Sequence, residues 1–239
     1  MQWEGPGVHA MDMDDRMTIA NMAIEAGGKN AIFPYDEKTG AYVRERTAEN
    51  GTKASFEPVE ADSVQKFVFD KTYDLSKIEP TVACHPDPGQ RKLARELSDV
   101  KLDRAYIGSC TGGKTSDFLA FARVVRGKNV KIDTFGVPAT TKVVGELKET
   151  FWDGKSVWTI LEDAGVRMTE NASCAACLGG PQDTFGRMNE KALKCISATN
   201  RNFPGRMGHK ESQVFLASPY TVAASALTGR ITDPRAMLG

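Results

Sequence analysis

Blocks of apolar residues alternate with polar turns along the last two-thirds of the chain. Within a block the apolar residues are spaced either as in a β-strand or as in an α-helix. Strand-like blocks cover 104–109, 130–137, 194–198 and 213–217. Blocks with helical spacing cover 87–97, 114–125, 139–150, 156–164 and 219–227. Strands that alternate with helices are typical of a sheet with helices on both faces. The pattern therefore predicts a three-layer α/β/α domain.

The first third of the chain has a different pattern. An apolar block at Met17–Ala26 predicts a helix that ends at two glycines. Residues 36–80 are polar and rich in turn formers, and Phe67-Val68-Phe69 within them predicts a short strand. We place a domain boundary near Pro80, which divides the chain into 1–80 and 81–239.

The composition of the chain disfavours two classes of protein, nucleic-acid binders and membrane-spanning proteins. The 239 residues are 41% hydrophobic and 26% charged, which is typical of a folded globular protein. The 31 basic residues balance the 31 acidic ones, so a nucleic-acid partner is disfavoured. The most apolar stretch, Val214–Leu227, is too short and too polar to span a bilayer. Without a signal peptide at the first residues, the sequence predicts a cytoplasmic or organelle-matrix protein without a membrane partner.

The five cysteines are an odd number, and the chain is long enough to build its own core, so a disulfide framework is disfavoured. Cys174 and Cys177 form a C-x-x-C pair, which serves zinc, iron–sulfur clusters and redox couples alike. Cys110 lies in a glycine-rich turn between a predicted strand and a predicted helix. Two small buried residues are the alternative for the C-x-x-C pair, and we expect Cys84 and Cys195 to be such residues.

Three thiolates at Cys110, Cys174 and Cys177 would leave an open position on a metal. A zinc ion would lack its fourth ligand, whereas a [4Fe–4S] cluster would keep one iron open to water or substrate. Such an iron is a Lewis acid that activates a hydroxyl group.

The turn around Cys110 has a rival interpretation as a phosphate-binding loop. Gly108, Gly113, Lys114 and Thr115 formally complete the pattern G-x-x-x-x-G-K-[ST]. No later hydrophobic strand ends in a clear magnesium-binding aspartate, however, and this alternative leaves the C-x-x-C pair without a role.

Two further groups of polar residues are candidates for a site. Arg201 and Arg206 lie on one predicted loop and suit carboxylate or phosphate binding, unless the loop is merely a solvated surface. Asn21 and Glu25 are four residues apart, so a helix would place them on one face. A carboxylate in that apolar helix either faces solvent or acts near a charge.

Four ordered motifs resemble the aconitase superfamily. They are Met17–Gly27, Ile107-Gly108-Ser109-Cys110-Thr111, the C-x-x-C pair followed by Leu-Gly-Gly, and Asn200-Arg201-Asn202-Phe203-x-Gly205-Arg206. The tail from Leu216 to Pro234 is similar to the C-terminus of large subunits in the isopropylmalate dehydratase branch. The resemblance extends over essentially the whole chain.

The resemblance implies a cofactor and residue roles. Cys110, Cys174 and Cys177 would hold a [4Fe–4S] cluster with one open iron. Asn21 and Glu25 would lie beside that iron and its bound water or hydroxyl. On this interpretation Gly112-Gly113-Lys114 is the turn after a cluster ligand, and the phosphate-loop alternative is dropped.

The resemblance also implies a reaction. Asn200, Arg201 and Arg206 would face the carboxylates of a hydroxy-dicarboxylate, and dehydration followed by rehydration would interconvert 2-isopropylmalate and 3-isopropylmalate in leucine biosynthesis. Homoaconitase and dimethylmalate dehydratase fragments remain alternatives, as does a non-catalytic iron–sulfur module.

Finally, the resemblance implies partners. Residues 1–80 would be part of the superfamily's second domain and 81–239 its third. The large subunit's N-terminal region, which carries a histidine and aspartate cluster, would be missing, and a small subunit would supply the swivelling domain. We therefore expect this chain to hold a cluster but not to turn over alone.

Overall fold

The computed structural model of the protein describes residues 1–52, 56–62, 66–174 and 185–238. The chain divides into two compact units, Met1–Ile78 and Glu79–Gly239. The helices of the described residues are α1 (Pro6–Ala10), α2 (Met13–Asn21), α3 (Glu37–Glu49), α4 (Ser109–Gly112), α5 (Thr115–Val125), α6 (Thr141–Glu149), α7 (Val157–Asp163) and α8 (Pro219–Thr228). The strands are β1 (Thr81–Ala83), β2 (Arg91–Leu93), β3 (Arg104–Gly108), β4 (Asp133–Val137), β5 (Phe151–Trp152), β6 (Lys155–Ser156), β7 (Arg167–Met168), β8 (Lys194–Ser197) and β9 (Gln213–Ala217).

Seven of these strands form the sheet of the unit Glu79–Gly239, in the order β2-β1-β9-β8-β3-β4-β7. The strands from β9 to β7 are parallel, and β1 is antiparallel to both β9 and β2. The expected α/β fold is therefore confirmed, and the structure adds that the sheet is mainly parallel and flanked by helices.

The side chains of the central strands alternate between the two faces of the sheet, and each face is covered by its own apolar core. Ile107 and Ile196 face a cluster that contains Phe118 and Phe121 of α5 and residues of α6, α7 and α8. Tyr106 and its neighbours on β4, β8 and β9 face a smaller cluster on the other side of the sheet. Because side chains in a strand point alternately to opposite faces, each central strand is buried on both sides.

Local signals set the helix boundaries of this unit. The backbone N–H of Val143 donates to the Thr140 hydroxyl at 3.3 Å and caps α6, and Ser156 and Ser218 cap α7 and α8 in the same way. Such a cap satisfies a backbone donor that the helix itself leaves open. The four helices and four strands that the sequence predicts beyond residue 100 are all present, with ends within three residues of those expected.

The predicted helix at 87–97 is wrong. The chain instead turns back at Gln90, where the Cys84 backbone N–H donates to the Gln90 carbonyl oxygen at 2.7 Å, and β2 pairs with β1. Only the last four residues, Ala94–Leu97, form a short 3₁₀ helix. Pairing at the sheet edge overrides the local helical pattern.

The unit Met1–Ile78 is built from α1, α2 and α3. The helix α3 was not predicted, because its polar sequence carries no apolar face; Asp36 begins it by accepting from the Thr39 backbone N–H at 2.9 Å. The predicted strand at Phe67–Phe69 is also wrong, since no described residue pairs with it. None of the described helices is both long and apolar enough to cross a membrane.

A buried ion pair joins two helices of this unit. Arg16 on α2 is 2% exposed and donates to both carboxylate oxygens of Asp36, at 2.9 and 2.6 Å. The Arg16 guanidinium holds the pKa of the Asp36 carboxyl well below its usual range. This bidentate geometry is the strongest form of an arginine–carboxylate contact.

Candidate active site at the carboxyl edge of the sheet

Three adjacent parallel strands, β8, β3 and β4, end at the same edge of the sheet. Gly108 at the end of β3 lies opposite Val137 at the end of β4, and Tyr106 lies opposite Ser197 at the end of β8. In open α/β sheets, ligands bind outside the carboxyl ends of the strands. The segments that follow β3 and β8 carry four of the eight predicted site residues, which are Cys110, Asn200, Arg201 and Arg206.

Cys110 is exposed on α4, the single helical turn that follows β3. Ser109 before it is fully buried and has a φ of 76°, a left-handed conformation that is uncommon for a residue with a side chain. The turn also packs closely on β8, because a methyl group on Gly112 would overlap the Cβ and carbonyl oxygen of Ala198. A fixed backbone therefore presents the Cys110 thiol outward.

We expect Gly112→Ala to destabilise the unit Glu79–Gly239 by about 1–3 kcal/mol, because the added methyl group forces the Cys110 turn away from β8. Urea unfolding followed by circular dichroism measures this free energy. Gly145→Ala is the matched control, since Gly145 lies inside α6 with nothing within 4 Å of its would-be Cβ, and it should stabilise by roughly 0.5–1 kcal/mol. Equal effects of the two substitutions would contradict the tight packing of the turn.

Cys174 lies in the segment after β7, at the same carboxyl edge of the sheet. The Thr169 backbone N–H donates to the Gly136 carbonyl oxygen at 3.3 Å, and the Ser173 N–H donates to the Pro138 carbonyl oxygen at 3.0 Å. These bonds hold the segment that ends in half-buried Cys174 beside the end of β4.

Cys177 lies in 175–184, outside the described residues, so its position relative to Cys110 and Cys174 stays a prediction. In the ranges that the structure does describe, no group of three or more histidine, cysteine, aspartate or glutamate side chains is placed to hold a metal. Those ranges contain two of the three predicted thiolate ligands. Thiolate donors are the ligands that an iron–sulfur cluster requires, so the chemistry of these two residues fits the cluster.

Lys114, the lysine of the phosphate-loop alternative, is engaged within its own turn. Its ammonium contacts the Thr111 carbonyl oxygen and lies 3.0 Å from a carboxylate oxygen of Asp117. A phosphate-loop lysine instead extends toward the phosphates of the nucleotide. The geometry therefore favours a turn that positions Cys110, and not a phosphate-binding loop.

The loop after β8 carries the predicted substrate-binding residues. Asn202 is fully buried and its side-chain amide donates to the Cys84 carbonyl oxygen at 2.9 Å, which ties the loop to the turn after β1. Arg206 donates to the Asn200 side-chain oxygen at 3.4 Å, and its guanidinium lies 5.5 Å from the ring centre of Phe203. The structure thus brings Asn200 and Arg206 together, with half-buried Arg201 next to Asn200 in the chain.

Arg187 is a further cation at this loop that the sequence analysis missed. Its Nε and Nη1 atoms are shielded from solvent and have no hydrogen-bond partner among the described residues. Backbone bonds from Met188 N–H to Met207 carbonyl oxygen (2.6 Å) and from His209 N–H to Met188 carbonyl oxygen (2.7 Å) hold its segment against the loop. Burial lowers the pKa of Arg187, and the nearby charge of Arg206 lowers it further. Only the pairing of its segment with the loop in the tertiary structure reveals Arg187 as a further guanidinium at this site.

Asn21 and Glu25 lie in the unit Met1–Ile78. The predicted helix Met17–Ala26 is wrong in its bounds, because α2 ends at Asn21 and Glu25 follows in a series of turns. The Ala23 backbone N–H bonds to Ala20, three residues back, so regular helical spacing does not extend to Glu25. Both side chains are half-buried. Their place beside a cluster stays a prediction.

The two remaining cysteines are poor candidates for ligands. Burial raises the pKa of the Cys195 thiol to about 12, and burial also raises that of Cys84. Because the thiolate is the form that binds metals, both sites disfavour a ligand role. This agrees with the expectation that Cys195 is a buried small residue.

Comparisons with known proteins give one consistent result. A family model described as "Aconitase family (aconitate hydratase)" matches residues 1–229. The chloroplastic 3-isopropylmalate dehydratase large subunit of Arabidopsis thaliana is 53% identical over all of this chain and 47% of the relative. Large subunits from Clostridium kluyveri (42% identical, 98% of this chain, 53% of the relative) and Methanopyrus kandleri (39% identical, 100% and 54%) are also similar. The chain spans about half the length of the curated relatives it matches, as a C-terminal portion. From the fold, the motifs and these matches together, the chain belongs to the aconitase family.

Proposed function

We propose that this chain is the cluster-bearing portion of a hydro-lyase that interconverts 2-isopropylmalate and 3-isopropylmalate. The observation that supports this most is the position of Cys110, exposed at the carboxyl edge of the sheet with the Cys174 segment on one side and the Asn200–Arg206 loop on the other. The names of the relatives support the substrate.

Cys110, Cys174 and Cys177 would hold a [4Fe–4S] cluster. When bound by three protein thiolates, such a cluster supplies an open iron that acts as a Lewis acid toward a hydroxyl group. The buried, left-handed backbone at Ser109 keeps the Cys110 thiol facing outward.

The loop after β8 would bind the carboxylates of the hydroxy-dicarboxylate. Arg206 is oriented by Asn200 and by the Phe203 ring, and Arg201 adds a second guanidinium. Arg187 brings another positive charge close to Arg206. Two like charges held together attract an anion between them, and a guanidinium binds a carboxylate through two parallel hydrogen bonds. Asn21 and Glu25 would act at the substrate hydroxyl.

Activity would need the N-terminal portion of a large subunit and a small subunit. The relatives are about twice as long as this chain, and they are named as large subunits, which implies a small-subunit partner. We therefore expect the chain alone to retain a cluster but to convert no substrate. The word chloroplastic in the name of the Arabidopsis relative supports an organelle matrix as the location of this chain, and the bacterial relatives support the cytoplasm.

The test is anaerobic reconstitution with iron and sulfide, followed by an assay with the N-terminal portion of a large subunit and a small subunit. Interconversion of 2- and 3-isopropylmalate supports the proposal. Conversion of homoaconitate or dimethylmalate instead would change the substrate but keep the reaction. A stable cluster without turnover of any of these acids would favour the alternative of a non-catalytic iron–sulfur module.

Arg206→Lys is expected to reduce kcat/KM of the reconstituted enzyme roughly 10- to 100-fold, chiefly through KM, because lysine cannot form the bidentate contact with a carboxylate. Steady-state assays against 2-isopropylmalate measure this change. Arg123→Lys is the matched control, since Arg123 is exposed on α5, and it should leave both constants unchanged. A similar KM for Arg206→Lys and the wild type would contradict a role of Arg206 in substrate binding.

A further inference from the structure

The segment Phe67–Phe69 is an unusually exposed apolar stretch. Phe67 is 52% exposed, Val68 is fully exposed and Phe69 is 71% exposed. Within the part of the chain that the structure describes, residues 66–73 make no backbone hydrogen bond. The sequence of this segment nevertheless has the aromatic and β-branched residues of a strand. It is a strand-forming segment without a partner strand in the described chain.

The chain is anchored shortly after this segment. The Tyr73 ring lies 6.5 Å from the Trp3 ring, and the Leu75 side chain packs against Gly7 at the start of α1. These contacts attach the chain that follows Phe69 to the unit Met1–Ile78.

More apolar side chains are exposed on both sides of the Phe67–Phe69 segment. They are Phe56, Val59, Tyr73, Leu75 and Ile78. Soluble proteins rarely expose so many large apolar residues in a short stretch, and such stretches mark interaction sites. Unpaired strand edges pair readily with strands of other chains.

We propose that Phe67–Phe69 docks, by addition of a β-strand, onto the N-terminal portion of a large subunit of this family. The proposal takes its partner from the proposed function and adds the surface that binds it. Main-chain bonds would supply affinity, and the Phe67 and Phe69 side chains, which share one face of a strand, would supply an apolar contact.

The length of the relatives favours this occupant. They match the whole chain, at up to 53% identity, and extend about as far again on the N-terminal side. A second copy of the chain is a weaker candidate. The additional length of the relatives gives no support to self-pairing.

The test is co-expression of the full chain, tagged, with the N-terminal portion of the Arabidopsis thaliana large subunit. We expect the tagged wild-type chain to recover the untagged portion. Val68→Pro removes the backbone donor and should reduce recovery at least about tenfold, as should Phe67→Ser/Phe69→Ser. Because these side chains are exposed, neither variant should change the circular dichroism of the chain alone.

Phe151→Ser is the matched control, since Phe151 is 63% exposed but belongs to the other unit. It should leave recovery unchanged. Amide exchange should show protection of residues 67–69 only in the complex. Recovery that Val68→Pro does not alter, or no recovery by the wild type, would overturn the proposal. A dimer of the chain alone in sedimentation, lost in Val68→Pro, would replace the partner by a second copy.

Recovery does not require a cluster or turnover, so its outcome is independent of the reaction. A complex that forms through Phe67–Phe69 but isomerises no isopropylmalate would contradict the proposed function only. An active enzyme in which Val68→Pro does not change recovery of the N-terminal portion would contradict the docking surface only.

Discussion

Cys110→Ala is expected to eliminate the [4Fe–4S] cluster and, with it, all hydro-lyase activity of the reconstituted enzyme. A cluster bound by three thiolates loses a third of its protein ligands, and no other described cysteine is suited to replace it, because burial raises the pKa of both Cys84 and Cys195. The fold should survive, since the Cys110 side chain is exposed.

Iron and sulfide analysis with EPR after anaerobic reconstitution measures this effect. We expect about four irons per chain for the wild type and almost none for Cys110→Ala. Cys84→Ala should keep the cluster, because Cys84 follows β1, which β9 and β8 separate from β3, and its contact with the site loop is through its backbone carbonyl oxygen. A cluster that persists in Cys110→Ala, or that is lost in Cys84→Ala, would mean that the ligands are other cysteines.

Asp36→Ala should cost about 3–5 kcal/mol of the free energy of unfolding of the unit Met1–Ile78. The substitution leaves Arg16, which is 2% exposed, without its carboxylate partner. A buried unpaired charge is far costlier than the loss of an exposed ion pair. Glu37→Ala is the matched control: its partner Arg44 is exposed, so the expected cost is within about 1 kcal/mol.

The stabilisation by Asp36 depends on pH in a defined direction. Because Arg16 lowers the pKa of Asp36 in the folded state, the contribution is complete above the unfolded value of about 3.9 and disappears as the pH falls through the folded value. Amide exchange in α2 and α3 at pH 7, 5 and 3 measures it. The difference between the wild type and Asp36→Ala should be equal at pH 7 and 5 and smaller at pH 3. A difference that grows toward acid would contradict the assigned cause.

The loop after β8 favours the proposed hydro-lyase over a simple cluster-binding module. A module that only binds or senses a cluster needs the thiolates, whereas the arrangement of Asn200 and Arg206, with Arg187 close to Arg206, would serve the binding of an anion. The charge of Arg206 lies close enough to Arg187 to lower the pKa of Arg187, and two guanidinium groups held close together suit an anionic ligand.

The sequence by itself predicted the parallel core of the unit Glu79–Gly239 because its signals are local. Alternating apolar blocks define β3, β4, β8 and β9, and hydroxyl caps such as Thr140 define where helices begin. The position of Cys110 after β3 and of Asn200 after β8 follows from chain order alone. These features need only a few neighbouring residues, so periodicity and turn chemistry suffice.

The tertiary structure decided what depends on residues far apart in the chain. The edge strand β2 replaced a predicted helix because β1 supplied a partner. Phe67–Phe69 has strand-forming residues but no strand, because no described segment pairs with it. Arg187 became a candidate only through its proximity to Arg206. Strand pairing and charge proximity are long-range interactions, and a local pattern specifies which residues can take part in them but not which partners they meet.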